Sequence, residues 1–428
     1  MRTTLSLVID NPMLFKQQLL QWSQQFREVV FLDSNAYQQK YSSFDCALAV
    51  DAFTSVKTDY HNAFEDLKQY KQVTKDWLFG YLSYDLKNDI EDLHSSNFDG
   101  LHFPDLFFFQ PKKLFLLKGN HLEIHYLHLC DDEIESDFLA IQTFHQPSAI
   151  NQQPITIHQR ISKQNYISKV NKMLKYIHHG AIYEANLCME FYAENTTINP
   201  IEIYKKLNAI SKPPFASFFK NHQQYLMCAS PERYLRKQSN KVISQPIKGT
   251  AKRFFDTVLD ENSKSELATN PKERSENIMI VDLVRNDLSN TAIKGSVVVE
   301  ELCAIYSFEQ VHQMISTVVS NVENTTSPVK ILRTTFPMGS MTGAPKISSA
   351  KIIEELEETK RGLYSGALGY FTPDNDFDFN VVIRSILYNA HNKYLSFSVG
   401  SAITSRAVPE MEYEECLLKA KALFEVLS

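Results

Sequence analysis

The sequence has few of the residues that mark common metal and cofactor sites. Its 428 residues include six cysteines, which stand singly and never at metal-ligand spacing, and only 12 glycines. No glycine falls in a Gly-x-Gly-x-x-Gly or Gly-Lys-Ser/Thr loop, and none of the 13 histidines belongs to a His-Glu-x-x-His segment. These absences argue against a disulfide framework, against zinc bound in that manner and against the usual nucleotide-binding loops.

Charge and hydropathy exclude further classes of partner. The sequence has 44 lysines and arginines against 50 aspartates and glutamates, a formal net charge of -6, so no basic excess attracts a phosphate backbone. Apolar runs are too short to span a bilayer, and the one near the start is too short for a secretory signal. We therefore expect no nucleic-acid partner, no membrane partner and a cytoplasmic location.

Short apolar runs alternate irregularly with helical patterns along the chain. The runs 77–82 and 106–109 suit buried strands, and the apolar spacing over 270–288 suits a helix. Because the predicted helices are grouped rather than interposed one per strand, the pattern favours an α+β fold over a doubly wound sheet. Further strands are predicted at 215–219, 225–229 and 242–244, and further helices at 166–179, at 348–359 and from near Pro409.

One segment interrupts this pattern and predicts a domain boundary. Residues 142–164 contain Pro147, Pro154 and several glutamines, with little apolar periodicity. We place the boundary here, which divides the chain into residues 1–150 and 151–428.

Two polar residues have both an ordinary and a chemical interpretation. Lys248 lies in the turn 246–250, where it is either an exposed lysine or a nucleophile whose pKa is lowered by burial or by cationic neighbours. Glu276 lies on the helix that begins with the Asn270–Pro271 cap, and pairing with an arginine would also explain it.

The same two interpretations apply further along the chain. Glu412, Glu415 and Lys419 share one face of the C-terminal helix, where ordinary surface ion pairs would also account for them. The stretches 336–346 and 397–403 place glycine beside hydroxyl groups, a pattern that lets backbone amides approach an anion and that also occurs in ordinary turns.

Taken in order, these segments resemble the chorismate-utilising enzymes. The similarity is firm from about residue 160 onward and looser before it, and its many segments follow one another in sequence order. They are FGYLSYD (79–85), GAIYEANL (180–187), SPER (230–233), the Lys248 loop, ERSEN (273–277), IVDLVRND (280–287), GAPK (343–346), RGLYSG (361–366), 383–384 and 412–419.

The resemblance implies large antiparallel β-sheets flanked by helices, with residues 1–150 as an N-terminal subdomain and the chorismate-binding catalytic region in 151–428. It implies Mg²⁺ held by Glu276 and Glu412, since hard carboxylate oxygens suit that ion. Glu232 matches the acid that assists departure of the C4 hydroxyl of chorismate, and His312 aligns with the active-site histidine of the family. The residues matched to binding of the chorismate carboxylates are Thr250, Tyr364, Arg384, Gly400 and Lys419, while Ser340 and Thr342 line the site.

Lys248 separates the branches of the family. Anthranilate and isochorismate enzymes usually carry alanine before the Gly-Thr pair, whereas aminodeoxychorismate synthases often carry lysine. The resemblance then implies attack of the Lys248 amine at C2 of chorismate, loss of the C4 hydroxyl and addition of ammonia at C4. Anthranilate synthesis, isochorismate synthesis and a catalytically silent regulatory subunit are the alternatives.

Glu184 departs from the family pattern, in which ammonia-using synthases have glutamine and isochorismate enzymes have lysine. We expect Glu184 to pair with Lys248 or to receive the proton of ammonia. Because the chain has no Gly-x-Cys-x-Gly glutaminase motif, we also expect a separate glutamine amidotransferase subunit to supply ammonia.

Overall fold

The computed structural model of the protein describes residues 1–37, 40–143, 155–309 and 311–428. The strands are β1 (Arg2–Val8), β2 (Glu28–Asp33), β3 (Cys46–Thr58), β4 (Leu78–Leu82), β5 (Leu106–Lys118), β6 (His121–Leu127), β7 (His158–Gln159), β8 (Glu184–Ala193), β9 (Phe215–Asn221), β10 (Gln224–Ser230), β11 (Arg233–Gln238), β12 (Lys241–Gln245), β13 (Ile247–Lys252), β14 (Val298–Ser307), β15 (Val311–Asn321), β16 (Gly343–Ala344), β17 (Ala367–Phe371), β18 (Phe377–Val381), β19 (Ser385–Asn389) and β20 (Tyr394–Thr404). The α-helices are α1 (Pro12–Trp22), α2 (Ala63–Thr74), α3 (Lys87–Ile90), α4 (Ile134–Thr143), α5 (Lys163–His178), α6 (Pro200–Ser211), α7 (Thr257–Thr269), α8 (Pro271–Ser289), α9 (Pro328–Thr335), α10 (Lys346–Leu356) and α11 (Pro409–Leu427).

The strands form an antiparallel sheet with two arms that share β5. The first arm runs β5–β3–β2–β9–β10–β19–β20–β8, and β6 and β1 extend it on the other side of β5. The second arm runs β5–β4–β17–β18–β11–β12–β15, and β13 and β14 also pair with β15. Antiparallel pairing and grouped helices confirm the predicted α+β class.

Strands from the first third of the chain pair directly with strands from the remainder. β2 is hydrogen-bonded to β9, and β4 to β17, so the two predicted regions share one sheet. Residues 144–154, which include the predicted boundary at residue 150, lie outside the described residues. The division at that point stays a prediction.

The helices cover the two arms separately. α5, α6 and α11 pack on the first arm, against β8, β10 and β20, while α8 packs on β13, β14 and β15 of the second arm. One apolar core, which includes Phe115, Tyr166 and Phe397, contains residues of the first arm and its helices, and the other combines residues of both arms, such as Phe219 of β9 and Phe379 of β18. Within the part of the chain that the structure describes, no helix is long and apolar enough to cross a membrane.

Helix α8 follows directly from its local sequence. The Asn270 side chain accepts hydrogen bonds from the backbone N–H groups of Lys272 and Glu273, at 2.9 and 3.2 Å, and Pro271 occupies the first helical position. The apolar spacing gives the helix a buried face of Ile280, Val281, Val284 and Leu288, whereas Ile278 is 39% exposed. The cap fixes where the helix begins, and the apolar face packs it against β13, β14 and β15.

The fold generates one stability prediction at the pairing of β4 with β17. Gly80 lies opposite Gly369, and a Cβ on Gly80 would meet the Phe107 carbonyl oxygen at 2.0 Å. Gly80→Val should therefore lower the free energy of unfolding by about 1–3 kcal/mol, because the strands must separate to admit the side chain. Urea unfolding of the purified protein measures this loss.

The matched control introduces the same side chain where there is room. Ser55 is an exposed residue of β3, so Ser55→Val should change stability by no more than about 0.5 kcal/mol. Equal stabilities for the two variants would contradict the close packing at Gly80.

Candidate active site

Two chain segments cross side by side from one arm of the sheet to the other. One joins β10 to β11 and carries Glu232, and the other joins β18 to β19 and carries Arg384. The N–H of Ala229 donates to the Arg384 carbonyl at 3.1 Å, and the N–H of Val381 donates to the Glu232 carbonyl at 3.0 Å. Backbone hydrogen bonds thus hold both residues at the junction of the arms.

Arg384 adopts a backbone conformation that few side chains tolerate. Its φ of 53° lies in the left-handed region, which costs free energy for a residue other than glycine and is often found at functional sites. Burial lowers the pKa of its guanidinium, and the Tyr364 hydroxyl and Glu415 carboxylate oppose that shift. The turn therefore presents a cation beside Tyr364, and the resemblance predicts that both residues bind carboxylates of the substrate.

Lys248 and Glu184 form a buried ion pair. Nζ of Lys248 on β13 lies 2.7 Å from Oε1 of Glu184 at the start of β8, and the two side chains are 11% and 2% exposed. Burial by itself lowers the pKa of Lys248, but the carboxylates of Glu184, Glu276 and Glu232 raise it above its ordinary value. The amine is therefore protonated at neutral pH when no other cation is near. The sequence predicted this pairing as one of two roles for Glu184.

The Gly-Ala-Pro-Lys segment (343–346) packs against the backbone of Glu184 and Ala185. Gly343 pairs with Ala185 in the short β16–β8 ladder and has a φ of 147°, and a Cβ there would lie 2.1 Å from the Glu184 carbonyl oxygen. The Ser349 hydroxyl donates to that same oxygen at 3.0 Å. Only glycine allows the two backbones to approach so closely, which explains a motif that the sequence left ambiguous.

A buried arginine ties the neighbouring backbone segments together. Arg361 pairs with Glu357 at 2.7 Å and donates to the carbonyls of Asn186 and Met341 at 2.8 and 2.6 Å. The other side of the site is fixed by Asn277 of α8, whose amide donates to the Lys248 carbonyl at 3.3 Å. These bonds position β8 and β13 without using groups that face a ligand.

The carboxyl group of Glu232 has a pKa close to neutral pH. Burial raises its pKa to about 7, while the Ser340 hydroxyl, the charge on Lys248 and the Ile247 N–H oppose the rise. These same contacts bring Glu232, Ser340 and Lys248 into one site. A carboxyl group with this pKa can donate a proton to a leaving group.

Glu276 of α8 and Glu412 of α11 face each other across the site. Nζ of Lys272 lies 3.9 Å from Oε1 of Glu276 and 4.0 Å from Oε1 of Glu412, so a single ammonium is close to both carboxylates. Burial raises the pKa of Glu276 to about 7 and also raises that of Glu412. Two helices from distant parts of the sequence thus bring the two predicted metal ligands together.

The pair suits a hard divalent cation. Oε1 of Glu276 is buried and lacks a hydrogen-bond partner among the described residues, which is a costly state for a carboxylate unless a ligand binds it. In residues 1–37, 40–143, 155–309 and 311–428, no group of three or more His, Cys, Asp or Glu side chains is arranged to hold a metal. Two carboxylates agree with Mg²⁺, which usually takes one or two from the protein and completes its shell with water and substrate.

Lys419 and Gly400 lie beside this pair of helices. Nζ of Lys419 donates to the Gly400 carbonyl at 2.8 Å and lies 2.7 Å from Oε1 of Glu415. A Cβ on Gly400 would meet Oδ1 of Asn186 at 2.5 Å and Sγ of Cys188 at 2.6 Å, so this position requires glycine. The predicted cation and the predicted backbone position are therefore in contact.

Two of the predicted residues are less directly available to a ligand. The Thr342 hydroxyl is buried and donates to the Met338 carbonyl at 3.0 Å. His312 is hydrogen-bonded on both ring nitrogens, to Ser307 at 2.8 Å and to Asp260 at 3.1 Å. The structure does not bring His312 into contact with Lys248, and its role stays a prediction.

Strand register explains the position of His312. On β15 it lies opposite Ala251, whereas its neighbour Gln313 lies opposite Thr250, the exposed residue that was predicted to bind substrate. Successive side chains of a strand point to opposite faces, so Gln313 shares the face of Thr250. Oε1 of Gln313 is buried and has no hydrogen-bond partner within the described chain.

The sequence reasoning also missed Glu273, which lies close to Glu415 of α11. Burial and the nearby Glu415 carboxylate raise the pKa of Glu273, while Lys272 opposes the rise, so acidic residues of α8 and α11 lie close together in two successive turns. The signal was present in the spacing, because Glu273 and Glu276 are three residues apart, as are Glu412 and Glu415.

Comparison with known protein families places this site within a family of chorismate-binding enzymes. The family model described as chorismate binding enzyme matches residues 27–425. The chain belongs to this family. The structure of anthranilate synthase component I from Streptococcus pneumoniae superimposes with a TM-score of 0.80 over 91% of this chain and 94% of that chain, at 22% identity. The predicted chorismate-utilising fold is thus confirmed.

Two relatives within the chorismate binding enzymes illustrate the range of lengths. A probable chloroplastic aminodeoxychorismate synthase from Oryza sativa subsp. japonica is 34% identical over 386 residues, which is 81% of this chain but 43% of that protein. Aminodeoxychorismate synthase component 1 of Bacillus subtilis is 29% identical over 387 residues, which is 88% of this chain and 80% of that protein. The chain thus spans less than half of the rice protein and most of the bacterial one.

The ion pair generates a prediction about Lys248. Glu184→Gln should lower the pKa of Lys248, because the carboxylate that stabilises the ammonium is lost while burial, which favours the neutral amine, remains. Acetylation of Lys248 with acetic anhydride, followed across pH by peptide mass spectrometry, should therefore reach half-completion at a lower pH.

Glu190 offers the matched control. It is another buried glutamate of β8, but it pairs with Arg160 at 2.9 Å, so Glu190→Gln should leave the pH profile of Lys248 unchanged. A profile that stays the same, or moves to higher pH, in Glu184→Gln would contradict the assignment of the pair.

Proposed function

We propose that the protein is the chorismate-using component of an aminodeoxychorismate synthase, which joins ammonia to chorismate to give 4-amino-4-deoxychorismate. The observation that carries this proposal is the Lys248 amine, buried between Glu184 and Glu232 in a site with two facing glutamates. The names of the rice and Bacillus subtilis relatives support the same activity. The product is a precursor of 4-aminobenzoate and folate.

The first step uses Lys248 as a nucleophile. A bond forms between Nζ and C2 of chorismate, both ring double bonds shift toward C4, and the C4–O bond breaks so that the hydroxyl, once protonated, leaves as water. In the second step ammonia bonds to C4, both double bonds shift back, and the C2–N bond breaks, which returns the electron pair to Nζ. Covalent catalysis divides one difficult displacement into two easier ones.

Two glutamates around Lys248 accept and donate the protons of the reaction. Lys248 must lose a proton before it attacks, and Oε1 of Glu184 at 2.7 Å is the acceptor in reach. Glu232, with a pKa of about 7, supplies the proton that leaves with the C4 hydroxyl. Glu184 then carries a proton when ammonia arrives, and Lys248 recovers it when its bond to C2 breaks.

Glu276 and Glu412 would hold Mg²⁺. When bound, this ion supplies positive charge that attracts a carboxylate of chorismate and disfavours a proton on the nearby amine. Arg384 and Lys419 lie close to the same helices and would bind carboxylate groups of the substrate, since a dianion requires several cations in a closed site. We propose that Gln313 and Thr250 face the substrate from β15 and β13.

Anthranilate synthase is the second candidate, because the fold neighbour with a TM-score of 0.80 bears that name. Similarity of fold does not separate the two chemistries, and Lys248 favours the aminodeoxychorismate reaction. A silent regulatory subunit is disfavoured by a site in which the cations and carboxylates lie in contact.

We also propose a glutamine amidotransferase subunit as the partner. The name of the Bacillus subtilis relative, component 1, supports a second component. The described chain offers no cysteine for glutamine hydrolysis, since each of its cysteines is buried.

The activity is tested with chorismate, Mg²⁺ and ammonium. We expect 4-aminobenzoate to form only after a 4-aminodeoxychorismate lyase is added, and we expect Lys248→Ala to lower the rate about a hundredfold or more, because it removes the nucleophile. Omitting ammonium should leave a protein adduct equal to chorismate less one water, which intact-mass measurement detects.

Lys252→Ala is the control, because Lys252 is an exposed lysine of the same strand. It should keep full activity. Direct formation of anthranilate, or full activity in Lys248→Ala, would contradict the proposal.

The partner is tested by the choice of nitrogen source. The purified chain should use ammonium and turn over with glutamine at less than about 1% of that rate, since it has no group to release ammonia. Adding a glutamine amidotransferase subunit should restore the glutamine-dependent reaction. Equal rates with glutamine and ammonium for the chain alone would refute the need for a partner.

A further inference from the structure

The ammonium of Lys272 lies close to the carboxylates of both Glu276 and Glu412. Its Nζ is 3.9 Å from Oε1 of one carboxylate and 4.0 Å from Oε1 of the other. These distances are typical of charge attraction and are too long for hydrogen bonds. The ammonium thus offsets part of the negative charge of both carboxylates and makes a hydrogen bond to neither.

The three side chains differ in their access to solvent. The Lys272 side chain is 44% exposed, whereas those of Glu276 and Glu412 are 11% and 4% exposed. A lysine stem is long and flexible, so this ammonium can move outward into water while the carboxylates stay in place. The two carboxylates are therefore enclosed by protein, whereas the ammonium of Lys272 borders on solvent.

The place of Lys272 in its helix is unfavourable without such a role. It is the second residue of α8, next to Pro271 and close to the helix N-terminus, which the aligned peptide dipoles make positive. A cation is disfavoured at this end. The attraction of the two carboxylates offsets that cost, because Glu276 lies one turn further along the same helix.

We propose that Lys272 is a tethered counter-cation of the metal site, which occupies the space between Glu276 and Glu412 in the free protein and competes with Mg²⁺ for it. This inference rests on the proposed function, in which these glutamates hold Mg²⁺. In the free protein Lys272 keeps the two acids together. Binding of Mg²⁺ displaces the ammonium, so each binding event exchanges one cation for another.

The test measures metal binding to the protein without chorismate. Titration calorimetry with Mg²⁺ should give a Kd about tenfold lower for Lys272→Met than for the unchanged protein, because the competing charge is gone while the apolar stem remains. Lys272→Arg keeps the charge and should keep the original Kd. Lys264→Met is the matched control, since Lys264 of α7 is 38% exposed and pairs with Glu261 at 3.4 Å.

Thermal unfolding provides a second measurement, in which the variant that binds Mg²⁺ more tightly is expected to be the less stable one without metal. In EDTA, Lys272→Met should have a lower Tm than the unchanged protein, because two buried carboxylates lose their counter-ion. Saturating Mg²⁺ should abolish this difference, since ligand binding stabilises the folded state. A Kd for Lys272→Met equal to or higher than that of the unchanged protein would overturn the inference.

Failure of the proposed metal site itself would look different. Glu276→Gln should weaken Mg²⁺ binding in any background. If neither the unchanged protein nor Lys272→Met bound Mg²⁺, or if Glu276→Gln had no effect on binding, the metal site and this inference would both be wrong. If Glu276→Gln weakened binding and Lys272→Met did not strengthen it, only the inference would fall.

Discussion

The site depends on burying opposite charges together. Glu184, Glu232, Glu276 and Glu412 are each at most 9% exposed, and removing so many carboxylates from water is costly unless cations and hydrogen bonds compensate. Lys248 lies among the first three of these acids, and its proton is held by their combined charge. Under the proposed function, a substrate dianion and a divalent cation would bind where Lys248 and Lys272 already offset part of this negative charge.

The two-armed sheet supplies the rigid frame for this cluster. Glu232 and Arg384 lie on adjacent segments that cross between the arms, while Glu184 and Lys248 come from strands of different arms. Two helices that are far apart in the sequence, α8 and α11, then close the site with their glutamates. Groups that face no ligand, such as Arg361 and its ion pair with Glu357, hold the backbone in register. The residues that hold the backbone are thus different from the charged residues of the site. The site residues can therefore be buried at a cost in stability, because the sheet does not depend on them.

The outcome at particular residues shows how far sequence reasoning reached. The capped start and buried face of α8 were predicted, because both arise from contacts within one helix. α10 differs from its predicted range of 348–359: the structure has Lys346–Leu356, and the chain becomes extended at Glu357, which pairs with Arg361 four residues later. Periodicity alone does not contain that ion pair. The Lys248 loop and the glycine motifs were recognised from an ordered resemblance, whereas their spacing alone allowed ordinary turns.

The sequence by itself determined the α+β class and the family resemblance, and it named candidate residues for the chemistry, since these depend on local periodicity and on the order of motifs. Tertiary structure alone decided which side chains meet. A shift of one residue in strand register reverses the face of every side chain, and that register placed Gln313 opposite Thr250 and turned His312 toward Asp260. Likewise, the meeting of Lys272 with glutamates 4 and 140 residues away depends on how α8 and α11 pack, because spatial contact between distant segments is set by the whole core.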